Sequence, residues 1–234
     1  MDVDVTETQP KPVTGTVVHM TTKSAPCIVQ PPFGVREVNR KLTDGAPRHA
    51  ALIPLIRQPW LLRVDSSDLL IRGATPRDLA GVATLHARCS PQSLLDRYRL
   101  GGKAPAIAAI EQTLRRPLTF VAVTPAGEVL ATATATVDAR HNRESAEVAV
   151  LVEDKWQDKG IGRELVTQLS ASALVCGYTE LIAYTATSPI AAQRLLLEVG
   201  HTRVVTASDG MHMHTYLPES AALGLGAVRE RLAS

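Results

Sequence analysis

The run Gln157-Asp158-Lys159-Gly160-Ile161-Gly162-Arg163 is the segment whose residue types and spacing bear most directly on chemistry. Two glycines separated by one residue, ahead of an apolar periodic stretch, describe a turn that opens a helix. The first amides of a helix have no intrahelical acceptor, and the aligned peptide dipoles add positive potential there. Glycine at 160 and 162 keeps side chains out of the path of an approaching anion. Lys159 and Arg163 add charge for outer phosphates. The chemistry implied is the binding of a pyrophosphate. The run is neither a Walker loop nor a full GxGxxG, and a simple tight turn is the plainer alternative. The strong strand before it and the amphipathic helix after it favour the anion.

A second candidate is Glu147, in the Val/Ala-rich string Ala146-Glu147-Val148-Ala149-Val150-Leu151-Val152-Glu153. Partial burial on such a strand raises a carboxylate toward neutral pKa, where it can take a proton from an amine. A solvated, edge-facing glutamate is the alternative, because Glu147, Ala149, Leu151 and Glu153 share one strand face. His212 and His214 also share a face, but no third ligand is evident and no metal is expected. His141 falls in a loop, His201 follows a helix-ending glycine, and Trp156 is expected to pack under the turn. Cys27, Cys89 and Cys176 form no CxxC pair and read as reduced thiols.

These groups need a scaffold, and its elements can be read from periodicity. A strand at 69–72 ends at Gly73. Thr75-Pro76-Arg77-Asp78 then supplies an N-cap, a proline at the first helical position and an acidic first turn. Leu79, Val82, Ala83 and Leu85 continue one apolar face. A second helix is expected over 94–100, after Ser90-Pro91. Strands at 118–124, 129–137 and 146–153, joined by short polar turns, form an antiparallel meander. A helix over 160–176, closed by Gly177, precedes a strand at 179–186 and a helix at 191–199 stopped by Gly200. Strands at 202–206 and 211–217 meet at an Asp209-Gly210 hairpin turn. Residues 218–234 hold a short Ala/Leu/Arg helix candidate.

The first 33 residues, interrupted by Pro10, Pro12, Pro26, Pro31 and Pro32, read as a flexible or loosely docked arm. Short helices are possible at 35–42 and 49–56. The chain is thus divided into an extension (1–62), a main domain (63–218) and a tail (219–234). Its 234 residues are 45% hydrophobic but only 3% aromatic, so the core is built mainly from Ala, Val and Leu. A formal charge of +2 gives no reason to invoke nucleic acid or a membrane surface. The acidic, polar start and the lack of an apolar run near ~20 residues lead to an expected cytoplasmic location.

Gln157-x-x-Gly160-x-Gly162 resembles the Q/R-x-x-G-x-G/A signature of the GCN5-related N-acetyltransferase (GNAT) superfamily, and the order of elements from Leu70 to Leu217 resembles its fold. The string from Ala146 to Gln157 is similar to that of the bacterial protein-lysine acetyltransferases. So are Ile71-Arg72, Pro76-x-Asp78, Ser90-Pro91-x-Ser93 and Arg97-Tyr98. The resemblance implies an α/β (α+β) fold: a mixed, mostly antiparallel sheet, splayed between the fourth and fifth strands, with helices on both faces. It implies acetyl-CoA as co-substrate and no metal. Backbone groups of Leu151 and Val152 would meet the pantetheine arm. Gln157 and the amides of Asp158, Lys159, Gly160, Ile161, Gly162 and Arg163 would hold the pyrophosphate, with Ser188 and Ala192 contacting the cofactor from the next helix. Glu147 would be the general base, and the acceptor a primary amine, either a protein lysine or a small molecule. A homodimer is left open. Two positions depart from the family pattern: its usual Tyr falls on Leu196, and its usual Asn near Ser188 or Pro189. These departures keep open an acyl-CoA-binding module with little catalysis.

Overall fold

The computed structural model describes residues 17–19, 57–98, 103–138, 144–185, 190–207 and 210–218. Among them nine strands form one sheet: β1 (Val17–His19), β2 (Trp60–Val64), β3 (Ser67–Gly73), β4 (Thr119–Val123), β5 (Val129–Val137), β6 (Ser145–Val152), β7 (Glu180–Thr185), β8 (His201–Ala207) and β9 (Gly210–Tyr216). Five helices accompany them: α1 (Leu79–Arg88), α2 (Pro91–Tyr98), α3 (Ile107–Leu114), α4 (Ile161–Val175) and α5 (Ile190–Val199). The strand order is β1-β8-β9-β7-β6-β5-β4-β3-β2. Only the β6–β7 pair is parallel. A parallel neighbour needs a crossover, and α4 supplies it. The mixed, mostly antiparallel α/β architecture expected from the sequence is the one observed.

Alternation along the strands sorts side chains into two layers. Ala146, Val148, Val150 and Val152 of β6 belong to a core that includes Leu165, Leu169 and Ala173 of α4 and Leu196 of α5. Leu151 on the opposite face joins Val82 and Leu85 of α1, Leu94 of α2, and Ile110 and Leu114 of α3. Alanines 122, 131 and 133 are fully buried on the central strands, and their small side chains let the α4 layer approach closely. At the β2–β4 end Trp60 meets Phe120 edge to face with centroids 6.2 Å apart.

Most expected elements lie where periodicity put them, with four differences. Helix α2 begins at Pro91 rather than 94, because the Ser90 side chain accepts the Ser93 amide at 3.2 Å and caps it. Helix α3 and strands β1 and β2 were not anticipated; β1 lies within the first 33 residues, where no strand was expected, and pairs antiparallel with β8 at the sheet edge. β2 pairs with β3 from Trp60↔Ile71 to Val64↔Ser67, so the sheet reaches back past residue 62. The candidate helices at 35–42 and 49–56, and all but the first residue of the one at 218–234, lie outside the described residues. Among the described residues no helix is long and apolar enough to cross a membrane.

Candidate active site

Strands β6 and β7 stay in register for three residues only: Ser145↔Glu180, Ala146↔Leu181 and Glu147↔Ile182. Beyond that point β6 remains bonded to β5 through Val152, and β7 remains bonded to β9 through Thr185. The sheet therefore opens in a V immediately after Glu147. The edge of β6 past Glu147 faces the gap instead of a strand, which leaves peptide groups for a ligand that carries amides of its own. The cleft is about 620 Å³ and is lined by Val150, Val152, Tyr184, Ala192 and Leu195, among others. This is the splay expected between the fourth and fifth strands of the sequence-derived order.

The glycine turn closes the outer end of the V. Asp158 and Gly160 both have positive φ, +58° and +84°, so the backbone doubles back tightly before α4. Successive amides in such a turn converge on one point and form an anion-binding hollow. A Cβ built on Gly160 would meet nothing within 4 Å, so the hollow is open. At Gly162 an added Cβ would lie 3.4 Å from Leu195 and fill the space between α4 and α5. The α4 ladder starts with the Glu164 amide donating to the Gly160 carbonyl at 3.0 Å, so the amides of Ile161, Gly162 and Arg163 precede it. A diphosphate fits these features, and the largely apolar cleft behind them fits the extended arm of CoA.

Side chains around the turn brace it. The Gln157 amide donates to the Val152 carbonyl at 3.1 Å and to Ser93 Oγ at 3.0 Å, tying the turn to β6 and α2. Lys159 reaches Asp65 of the β2–β3 turn at 2.6 Å. Arg163 is paired with Glu198 of α5 through two contacts of 2.8 Å. Ile161 is buried in the core and offers only its backbone. Leu151, Val152, Gln157, Asp158, Gly160, Gly162, Arg163 and Ala192 all line the cleft, and Ser188 lies outside the described residues.

The face that carries Glu147 is polar. Arg97 of α2 lines the cleft, whose lining on β6 begins at Val148, one residue past Glu147; burial lowers the Arg97 pKa, and the charges of Tyr98 and Glu147 pull the other way. Tyr184 donates to the buried carboxylate of Asp138 and packs edge-on against His212, with ring centroids 4.7 Å apart. His214 shares Glu180 with Ser145, at 3.0 Å on the histidine side. Among the described residues no group of three His, Cys, Asp or Glu side chains could hold a metal ion. Leu196, at the family's tyrosine position, is buried against the cleft.

Several supports were not read from the sequence as contacts. Asp154, just past β6, accepts from Ser90 N (2.8 Å), Ser90 Oγ (2.6 Å) and Ser93 Oγ (2.9 Å). Burial raises its carboxyl, but these serine hydrogen bonds outweigh it and leave the pKa lowered. Asp78 accepts a forked pair from Arg72 (2.6 and 2.8 Å) and two bonds from Thr75. Burial again raises the carboxyl and these donors lower it further than burial lifts it. The Ser90-Pro91-x-Ser93 and Pro76-x-Asp78 patterns were the available signal; the first marks a brace beside the cleft and the second one at the junction of β3 and α1.

No curated protein sequence matches the chain. Its fold is similar to the GNAT domain of S. lividans PAT, with TM-score 0.59 and 19% identity over 70% of this chain and 97% of that one. It is also similar to a phosphinothricin acetyltransferase from Sinorhizobium meliloti in complex with AcCoA (TM-score 0.54, 19% identity, 64% and 88% covered). A third likeness is to the diaminobutyrate acetyltransferase of Paenibacillus lautus (TM-score 0.50, 17% identity, 65% and 96% covered). At these identities the likeness speaks for the fold alone. The acetyltransferase (GNAT) family, however, matches residues 83–201, just over half of the chain. That span runs from α1 through α5 and holds both arms of the V together with the turn that closes it. The chain therefore belongs to the acetyltransferase (GNAT) family of acetyl-CoA-dependent N-acetyltransferases.

Proposed function

We propose that this enzyme acetylates a primary amine by direct attack, that the acceptor is the side chain of a protein lysine, and that Glu147 is the general base. The observation that carries this reading is the position of Glu147 as the last residue of β6 paired to β7, at the apex where the cleft opens. Bound acetyl-CoA supplies an acetyl group activated as a thioester. An ammonium has no lone pair for attack, so the Glu147 carboxylate takes its proton, directly or through water. The amides of Gly162 and Arg163, with the Gly160 turn, hold the diphosphate and fix the depth of the arm in the V. The charge of Glu147 in turn favours the cationic form of Arg97 on α2, against the opposing effect of burial. Leu196 has no proton to give, so the departing sulfur is protonated by solvent.

The lysine acceptor is supported by the similarity of residues 146–157 and of the Ser90-Pro91-x-Ser93 and Arg97-Tyr98 patterns to bacterial protein-lysine acetyltransferases. Thiol release from acetyl-CoA, measured with lysine-bearing peptides and with free small amines, tests it. The expected result is saturable turnover on peptides that disappears when the lysine amine is blocked. Higher kcat/KM on a small amine would reassign the acceptor to that class, and no turnover on any primary amine would refute the direct-attack reading.

A further inference from the structure

Both cations flanking the glycine turn are already paired with carboxylates. Arg163, at the start of α4, is gripped by Glu198 from the end of α5, with Nε and Nη2 each 2.8 Å from a carboxylate oxygen. Lys159 is paired with Asp65, 2.6 Å away on the β2–β3 turn. Arg163 and Glu198 both line the cleft, and so does Arg194, one helical turn before Glu198 on α5. The pairs are open to solvent: side-chain exposure is 64% for Arg163 and 40% for Glu198. Pairs this exposed are weak enough to exchange partners.

We propose that Glu198 is a resident counter-ion that sets how tightly the cleft holds the phosphates of CoA. In the free enzyme its carboxylate occupies the Arg163 fork that a phosphate would otherwise use. When the diphosphate arrives, the guanidinium turns to the ligand, and Glu198 falls within reach of Arg194 at the i−4 position of the same helix. Asp65 plays the same part for Lys159 on the other side of the turn. Anchoring is then left mainly to the backbone amides, and the affinity for CoA stays low enough for the product to leave. This inference rests on the reading of the cleft as the CoA site.

The test is calorimetric titration of CoA into the full chain as wild type, Glu198→Gln, Arg163→Gln and the double variant. The expected result is a Kd lowered roughly two- to fivefold in Glu198→Gln, the range of an exposed ion pair. The gain disappears in the Arg163→Gln background. It also shrinks as ionic strength rises from about 0.05 to about 0.5 M. Asp65→Asn, at a site with φ +53° that asparagine tolerates, is expected to give a gain of the same sign. Unchanged or weaker binding in Glu198→Gln overturns the counter-ion role, as does a gain that survives loss of Arg163. Wild type that takes up no CoA would instead overturn the assignment of the cleft itself.

Discussion

Gly160 shows how one residue joins backbone geometry to ligand capture. Its φ of +84° costs an ordinary L-residue roughly 1–2 kcal/mol, and a side chain there would project into the open hollow. Gly160→Val is therefore expected to weaken CoA binding by about tenfold or more, read by calorimetry. It should also lower Tm by a few degrees, on the scale of ~2–4 °C per kcal/mol for a protein of this size. The turn was legible in the sequence because its determinants are contiguous and glycine is the residue such geometry requires. Glu147 was legible as a carboxylate on an apolar strand. Its neighbour Arg97 is legible only as part of a family pattern, since contact between α2 and β6 joins residues far apart in the chain. The same holds for Asp154, whose three donors come from Ser90 and Ser93.

Elements α1 and α2 position the polar side of the cleft, and one buried link couples them. His86 donates from Nδ1 to the Val82 carbonyl at 2.6 Å, which leaves Nε2 to accept from the Tyr98 hydroxyl at 2.5 Å. Tyr98→Phe strips a buried nitrogen of its partner, with an expected loss of about 1–3 kcal/mol, measurable by urea unfolding. A variant within ~0.5 kcal/mol of wild type would show that the link does not hold the helices. Helix α3 escaped the sequence reading because Gly101, Gly102 and Pro105 precede it and its two turns carry only Ile110 and Leu114 as a buried pair. Strand β2 was hidden for a related reason. Its burial alternates regularly, with Trp60 and Val64 buried and Leu61 exposed, but the outward Leu61 is itself apolar, so the residue types do not alternate. Long periodic elements such as α4 and β5 carried their own signal.

At the scale of the whole molecule, several ionisable groups favour one protonation state on folding. Burial holds His86 in its neutral form, with its pKa lowered. Asp78, Glu153 and Asp154 also sit below the ordinary carboxylate value, because their hydrogen bonds and cations outweigh the upward pull of burial. In each case the unfolded chain binds the proton more readily, so stability is complete above the unfolded pKa and is lost as pH falls toward the folded one. Unfolding free energy should begin to drop below about pH 6.5 through His86, and more steeply below about pH 4 through the carboxylates. A flat profile from pH 7 to 4 would contradict this. The thiols of Cys89 and Cys176, both buried and pushed up to about 11, should resist alkylation at pH 8 in the native protein and label once it is denatured. The sheet order and the splay were within reach of the sequence once the family resemblance was noted. The polar floor was not, because Asp138, Glu180, Tyr184, His212 and His214 come from three separate segments and meet only after the sheet has closed.

The central claim is that the apex of the V houses the base for amine acetylation, and Glu147→Gln tests it most directly. Acetyl transfer to a lysine peptide should fall by about 10²- to 10⁴-fold, while the Kd for CoA, titrated on the same preparation, stays within about twofold of wild type. Undiminished turnover in that variant, with CoA still bound, would contradict the account.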